Sequence, residues 1–309
     1  MKRSTGTKQT PGIVMRRLGT GTLAVGLALS LTMTPVPASA AAVAAPAAVT
    51  ASATLAPMSL AALGRPAYYT YSGYGAAQHR KKGKQLEKKG YRPISLSVTG
   101  SRLSAVWVKT GGPAWWCLDG LTAKTYEKQL KSLRKKGYAP TIISASGGGY
   151  GAVFAGVFEK RNIGWQAQWG MTAAKFKQVD KQQSAKGLAL VSLSAYGTAS
   201  DTRYAAIWHQ SSAGYGWVTG YTSAKLEKII KKNDKKGYFP KQIVVAPDGT
   251  YSAIFHRAAG QWWTRYGMSQ SQLKKQHDYY GKKGFYPVSV DGEHISGRGS
   301  YYAATWYRY

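Results

Sequence analysis

The stretch KKGYFPKQIVVAPDGTYSAIFHR, residues 235–257, contains most of the signals that decide the fold. A glycine-tyrosine junction and a proline lead into a short apolar run. A turn at Asp248-Gly249 and a second apolar run ending at Phe255 follow. Short runs rich in β-branched residues and bounded by turn residues predict two β-strands.

The same junction recurs at steps of 47, 50, 50 and 47 residues. The five junctions are Gly90-Tyr91, Gly137-Tyr138, Gly187-Leu188, Gly237-Tyr238 and Gly284-Phe285. A nearly fixed period of this length is typical of repeat architectures, in which neighbouring units stack to bury their apolar faces. The sequence therefore predicts about five units.

Each unit also contains a third strand and a helix. The third strand opens on an aromatic residue at Tyr68, Trp115, Trp165, Tyr215 and Trp262. A glycine, an apolar residue and Thr or Ser come next, as in Gly170-Met171-Thr172, where the hydroxyl predicts a helix N-cap. A glycine after each basic helix end predicts its C-terminus. We therefore expect a mainly β fold with helices, an α+β tandem repeat of three-strand-plus-helix units.

The two ends of the repeat region complement each other. The region opens with a lone third strand at 66–73 and a helix, and it stops after a second strand at 301–307. We therefore expect a closed, propeller-like toroid in which the N-terminal strand completes the last sheet, as in β-propellers. An open solenoid is the alternative.

The N-terminus predicts export. Basic residues up to Arg16-Arg17, an apolar stretch from Leu18 to Met33 and the small residues Ala38-Ser39-Ala40 form a signal-peptide pattern over 1–40. The arginine pair allows a twin-arginine signal, and a Sec signal fits as well. Residues 41–64 are rich in Ala, Pro and Thr and predict a tether before the repeat domain at 65–309. We expect a secreted protein without a membrane span in its mature chain.

The charge favours anionic partners. The chain has 43 Lys plus Arg and 12 Asp plus Glu, a net charge of +31. Five of the basic residues and no acidic residue lie in the first 40, so the remainder carries about +26. Such a charge attracts polyanions, and nucleic acid would bind only non-specifically. The alternative is that the charge keeps a surface rich in Tyr and Trp soluble.

The pattern resembles a known repeat family. Gly-Tyr-x-Pro, an alternating strand, Ala-Ala-Ile-Trp at 205–208 and Gly-Met-Thr before a basic helix are similar to the bacterial tandem repeat, or polyglycine hydrolase-like structural repeat, over 66–309. In that family the repeats occur in secreted actinobacterial proteins, and in fungal polyglycine hydrolases beside a separate serine-hydrolase domain. The resemblance implies an exported accessory or recognition array and carries over no catalytic residue. The third unit departs from it at Leu188 and Leu190.

Chemistry-bearing motifs are sparse. The single cysteine, Cys117, excludes an intrachain disulfide and predicts a buried small side chain. His209 and His256 share one repeat position, with no serine-histidine-aspartate spacing around them. The one irregular segment is Asp291-Gly292-Glu293-His294, which we expect in a solvated turn, with a cation site as the alternative. We predict no cofactor, no metal and no enzyme activity.

The candidate binding residues are repeated ones. Basic residues after the second strand and the aromatic residues that open the third strand could grip a polyanion or glycan by charge and stacking. The set is Lys109, Lys160, Arg257, Arg308, Tyr68, Trp115, Trp165, Tyr215 and Trp262. Packing between units is the alternative for the aromatics. We expect a non-catalytic binding module for an extracellular protein, glycan, anionic polymer or cell-wall polymer; a secreted hydrolase and an adhesive oligomer are alternatives.

Overall fold

The computed structural model describes residues 65–308 and the backbone of a short strand at Met15–Arg17. The remainder of the predicted signal peptide and the predicted tether at 41–64 lie outside the described residues. Across the described ranges, the helices are too short or too polar to span a bilayer.

The described chain runs strand, helix, strand, strand five times, after the isolated strand β1 (Met15–Arg17). The first repeat is β2 (Tyr68–Tyr74), α1 (Ala76–Lys88), β3 (Tyr91–Thr99) and β4 (Arg102–Lys109). The second is β5 (Trp115–Leu121), α2 (Ala123–Lys135), β6 (Tyr138–Ser146) and β7 (Val153–Lys160). The third is β8 (Trp165–Met171), α3 (Ala173–Ser184), β9 (Leu188–Gly197) and β10 (Thr202–Gln210). The fourth is β11 (Tyr215–Tyr221), α4 (Ser223–Asp234), β12 (Tyr238–Val245) and β13 (Tyr251–Arg257). The fifth is β14 (Gln261–Met268), α5 (Gln270–Lys282), β15 (Tyr286–Ile295) and β16 (Gly299–Arg308).

Each repeat forms its own antiparallel sheet, in which the last strand along the chain lies in the middle. We call the first strand of each repeat the outer strand and the second the inner strand. The second sheet is extended by β1, which pairs with the free edge of the outer strand β5. Because β1 lies in the predicted signal peptide, cleavage after Ala40 would leave this sheet with three strands like the others.

The predicted exchange of a strand between the two ends of the chain is wrong. β2 pairs with β4 of its own repeat, with Tyr69 opposite Trp107, and the last sheet is completed by its own outer strand β14. The physical reason is chain order: the helix after each outer strand returns the chain to the far edge of the same sheet. Apart from β1, every sheet is therefore made from one contiguous stretch of sequence.

The inner strands contact one another from repeat to repeat, and β15 of the fifth repeat contacts β3 of the first. Side chains of one inner strand hydrogen bond the backbone of the next. The Val98 amide donates to Ser144 Oγ at 2.9 Å, and Ile143 N donates to Ser192 Oγ at 3.1 Å. The contact between the last and first repeats is of the same kind, since Val290 N donates to Ser95 Oγ at 2.9 Å.

All five helices end as the sequence predicts, and α2 to α5 also begin as it predicts. The Thr or Ser side chain before α2, α3, α4 and α5 accepts a hydrogen bond from the third helical residue, as Thr172 does from Lys175 N at 3.2 Å. Gly75 takes this place before α1. The glycine after each helix has positive φ, 75° at Gly237, a conformation that glycine adopts without strain.

The helices cover one face of their sheets and also contact the next outer strand. Beneath each helix a middle-strand aromatic is almost fully buried, at Trp107, Phe158, Trp208, Phe255 and Trp306. On its other side, α3 contacts β11 of the next repeat, where Asp180 accepts from Tyr215 Oη at 3.0 Å. The last helix contacts the first repeat in the same way: Gln270 Nε2 of α5 donates to the Ser72 carbonyl at 2.9 Å.

Candidate functional site

A β-bulge recurs on every inner strand, directly after the position that is proline in four of the five repeats. One residue of each inner strand is skipped in the pairing with the middle strand, and a bulge of this kind re-aims a side chain. The bulge residues are Ile94, Thr141, Val191, Lys241 and Val288. These five and their neighbours line a single cavity of about 80 Å³, the bulge cavity, to which all five inner strands contribute.

Lys241 is the one charged residue in the lining of the bulge cavity. Within the described residues it forms no salt bridge, and burial lowers the pKa of its ammonium group, with the charge of Arg161 adding to the effect. Sequence reasoning missed this residue. The available signal was a lysine at a repeat position where the other four units have an aliphatic residue or threonine.

A second candidate is a groove between β14 and α5, which we call the aromatic groove. It has a volume of about 440 Å³ and is lined by Trp263, Arg265, Lys275, Gln276, Tyr279, Tyr280 and Lys283. Trp263 and Tyr279 are 47% and 50% exposed, although large apolar rings are normally more buried. The Trp263 ring stacks on Tyr280, with centroids 5.9 Å apart. The sequence signals for this groove were the aromatic doublets Trp262-Trp263 and Tyr279-Tyr280.

The rim of the aromatic groove is cationic. The Arg265 guanidinium lies 5.8 Å from the Trp263 centroid, and Lys283 Nζ lies 4.5 Å from the Tyr279 centroid. The lining contains no carboxylate. Exposed rings beside unpaired cations can stack with a flat apolar face and pair with an anion at the same time.

The predicted basic residues lie at the last position of their middle strands, all exposed, in four different repeats. Two of them cover the aromatic residue of their own junction. Arg257 lies 5.1 Å from the Tyr238 centroid and Arg308 lies 4.8 Å from that of Phe285. Lys109 and Lys160 stand opposite Tyr91 and Tyr138 in the same register. They form a repeated set rather than one cluster.

The aromatics that open the outer strands lie between repeats. Trp115 is 1% exposed and packs edge-on against Trp107, so it has no surface to offer a ligand. Trp165 lies 3.9 Å beneath the Arg134 guanidinium of the preceding repeat's helix. Tyr68, Tyr215 and Trp262 are half-buried. Packing between repeats accounts for these positions, and a ligand contact there stays a prediction.

The prediction that 291–294 forms a solvated turn is wrong. Asp291 and Glu293 lie on the inner strand β15 and are 5% and 3% exposed. Asp291 accepts from Ser97 Oγ at 3.1 Å and from Val245 N at 2.8 Å. The two carboxyl groups accept hydrogen bonds from other inner strands, Asp291 from β3 and β12 and Glu293 from Ser146 on β6. Across the described residues no cluster of His, Cys, Asp and Glu could hold a metal ion.

Of the remaining titratable groups singled out in the sequence, Cys117 and His209 are buried and His256 is half-buried. Cys117 is 1% exposed, and burial raises the pKa of its thiol, which disfavours the reactive thiolate. His209 Nε2 is 2.6 Å from the Pro140 carbonyl, and His256 Nε2 is 3.3 Å from the Leu190 carbonyl. Each histidine therefore links its middle strand to the inner strand of the preceding repeat.

These features define the class of protein: a tandem array of five small antiparallel sheets, each covered by one helix. A family model described as polyglycine hydrolase-like structural repeat matches residues 65–110, 112–161, 162–211, 217–258 and 259–309. The chain belongs to this repeat family, and the matched segments coincide with the strand, helix, strand, strand units. No curated protein matched the chain significantly.

Proposed function

We propose that the protein is an exported, non-catalytic binding module that recognises an anionic glycan polymer outside the cell, with its repeats closed into a propeller-like toroid. The aromatic groove carries the binding proposal. Trp263 and Tyr279 present ring faces on which a sugar ring can stack, while Arg265, Lys275 and Lys283 can pair with its acidic groups.

The charge distribution supports an anionic ligand. Many of the acidic side chains are already engaged inside the protein, as Glu159 is by Arg92 and Arg161 and Asp119 is by Arg80. Most basic side chains have no such partner among the described residues. A surface of this kind attracts a polyanion over long range, and the groove adds short-range selectivity.

The toroid is supported by the contacts between the last and first repeats. β15 contacts β3, and Gly292 N donates to Ser97 Oγ at 3.0 Å. Outside the inner strands, Gln270 of α5 reaches the Ser72 carbonyl, and Thr70 Oγ1 lies 3.4 Å from His277 Nε2. These contacts repeat those between consecutive repeats, as expected if the fifth unit neighbours the first.

The test is retention of the purified protein on cell walls and on an immobilised acidic polysaccharide at rising salt. At about 1 M salt the Debye length is about 3 Å, so binding by charge alone is lost while stacking in the groove persists. We expect wild-type protein to be retained at high salt. The double variant Trp263→Ala/Tyr279→Ala should be released, because it keeps the charge and loses the rings.

Tyr150→Ala is the matched control, since Tyr150 is a fully exposed ring in another repeat. It should bind like the wild type. Circular dichroism spectra must show that all variants remain folded. If the double variant is retained as well as the wild type, the groove is not the binding site. If wild-type protein is released at moderate salt, its charge acts alone and the glycan proposal fails.

A further inference from the structure

The bulge cavity is too small for a sugar, yet it contains an unpaired cation. We propose that it is an anion site, in which Lys241 and the hydroxyl groups of Ser192 and Ser289 hold a small inorganic anion between chloride and phosphate in size. This site is separate from the aromatic groove and does not depend on the proposed glycan binding.

The first argument is charge balance. The charge of Arg161 acts on Lys241, and Arg161 and Glu159 both act on the nearby His209. Arg92 belongs to this group of charges through its ion pair with Glu159. Glu159 is paired with both arginines, so three cations face one carboxylate. Lys241 is half-buried. A partly desolvated charge without a partner is costly, and an anion in the cavity would reduce that cost.

The nearest acid does not supply the missing negative charge, and the nearby histidines are neutral or cationic groups that cannot. Burial lowers the pKa of His209 and brings that of His256 to about 4, which disfavours a further positive charge on either ring. Asp291 follows two residues after Ser289, but its oxygens bind Ser97 and the Val245 amide and do not line the cavity. The compensating charge therefore has to come from solution.

The second argument is the supply of hydrogen-bond donors. Ser192 Oγ accepts from Ile143 N, and no acceptor for its own proton is present among the described residues. Ser289 makes no side-chain hydrogen bond within the described chain, although it is only 5% exposed. The two serines follow the bulge residues of β9 and β15, the inner strands on either side of Lys241 on β12. Two hydroxyl-bearing residues thus line the same cavity as Lys241.

The third argument is size. A water molecule needs roughly 10–15 Å³ of such volume, so a cavity of about 80 Å³ can take a tetrahedral oxyanion but not a pyranose ring. The other bulge residues are aliphatic, apart from Thr141, whose hydroxyl donates to the Val157 carbonyl at 3.2 Å. Apolar walls strengthen the attraction between a single ammonium group and an anion.

The experiment measures thermal unfolding of the full chain in a chloride-free buffer with a bulky organic sulfonate as background. Phosphate, sulfate or bromide is then added at constant ionic strength. We expect the Tm of wild-type protein to rise by roughly 2–4 °C at tenfold excess over the Kd of the best-fitting anion. Lys241→Val and Lys241→Met should lose this rise. The first introduces the residue that Val191 and Val288 supply in other repeats, so it is compatible with the fold.

Lys228→Met is the matched control, because Lys228 is an exposed lysine on α4 and its loss changes the net charge equally. It should keep the full anion response, as should Trp263→Ala/Tyr279→Ala. An anomalous peak of bromide within hydrogen-bond distance of Lys241 Nζ in crystals would support the site directly. An equal Tm response in the Lys241 variants, or an empty cavity in crystals soaked with bromide, would overturn the proposal.

Discussion

Glu293 occupies an environment that its charged form does not favour. Its Oε1 accepts from Ser146 Oγ and from His294 N, both at 2.8 Å, whereas the buried Oε2 has no hydrogen-bond partner among the described residues. Burial raises the pKa of Glu293 to about 8, with the neighbouring Asp291 adding to the shift, and burial raises that of Asp291 to about 7. Both carboxyl groups bind protons more tightly in the folded state than in the unfolded chain.

This raised affinity for protons fixes the sign of a pH effect. The contribution of Glu293 to stability is fully present below its unfolded pKa of about 4.3 and is lost as the pH rises through about 8. The variant Glu293→Gln keeps the acceptor and cannot ionise. We expect the free energy of unfolding of the variant to increase relative to that of wild type as the pH is raised from 5 to 9. The increase should be at most about 1.4 kcal/mol per pH unit.

Urea denaturation of both proteins across this range measures the difference. The buried histidines, whose pKa values are lowered, are common to both proteins and cancel. A difference that does not change with pH would show that Glu293 ionises freely in the folded protein.

At the scale of elements, the contact between helix and sheet follows a pairing rule in the second to fifth repeats. Where the middle-strand aromatic is Trp208 or Trp306, the helix supplies an acceptor for the indole N–H: Asp180 Oδ1 at 2.9 Å and His277 Nδ1 at 3.1 Å. In the two repeats whose buried aromatic is phenylalanine, the same helix position is apolar. Those pairs are Leu130 with Phe158 and Ile230 with Phe255. In the third and fifth repeats the buried indole N–H is therefore matched by an acceptor on the covering helix. In the first repeat the indole of Trp107 donates instead to Tyr71 Oη of the outer strand.

This pairing predicts strong coupling between His277 and Trp306. His277→Ile alone leaves the indole N–H unsatisfied and should cost about 1–3 kcal/mol of stability. Adding Trp306→Phe recreates the fourth repeat's combination and should recover part of that loss. We expect a coupling energy of about 0.5–3 kcal/mol in a double-mutant cycle measured by urea denaturation. Losses that simply add would contradict the rule.

The elements themselves could be predicted from the sequence, but their pairing could not. Thr172 and Gly237 are local signals, because an N-cap hydroxyl and a left-handed glycine act within one turn of the chain. The strand that begins at Trp115 could pair with the strand before it or with a strand after α2. The periodic sequence is compatible with both pairings and does not distinguish them. Only the three-dimensional path of the helix shows that β5 pairs with β7.

The candidate site was missed for a related reason. Lys241 reads as an ordinary lysine in an apolar strand until the bulge, which depends on register across strands, turns it towards the cavity. Asp291 and Glu293 beside Gly292 have the composition of a turn. Hydrogen bonds from Ser97, Ser146 and Val245, all distant in sequence, hold them in a strand instead.

For the whole molecule, the two ends of the repeat region lie at the same place. Arg65 Nη1 donates to the Gly281 carbonyl at 2.6 Å, and Arg308 Nη1 donates to the Lys283 carbonyl at 2.9 Å. Both ends are therefore held at the C-terminal end of α5. This arrangement suits the proposed toroid, in which the first and fifth repeats are neighbours.

Circular permutation tests the toroid. Joining residue 309 to residue 65 with a linker of roughly six residues and opening the exposed connection at 211–214 should give a folded protein. We expect a single unfolding transition with a midpoint close to that of the original order, because every sheet remains intact. The original chain carrying the same linker at its C-terminus is the control. In an open solenoid the linker could not span the ends, and the permutant would unfold in separate steps or fail to fold.

The three strands that each repeat contributes to its sheet come from one contiguous segment of about 50 residues, and this has a consequence for inheritance. Unequal recombination between two equivalent connections of the gene would add or remove one whole sheet with its helix and leave no strand without its partner. In a fold closed by a strand exchanged between the two ends of the chain, the last sheet would need the N-terminal strand. Such a fold could not gain or lose a terminal repeat without breaking that pairing. A change in repeat number therefore requires no new strand pairing within any sheet.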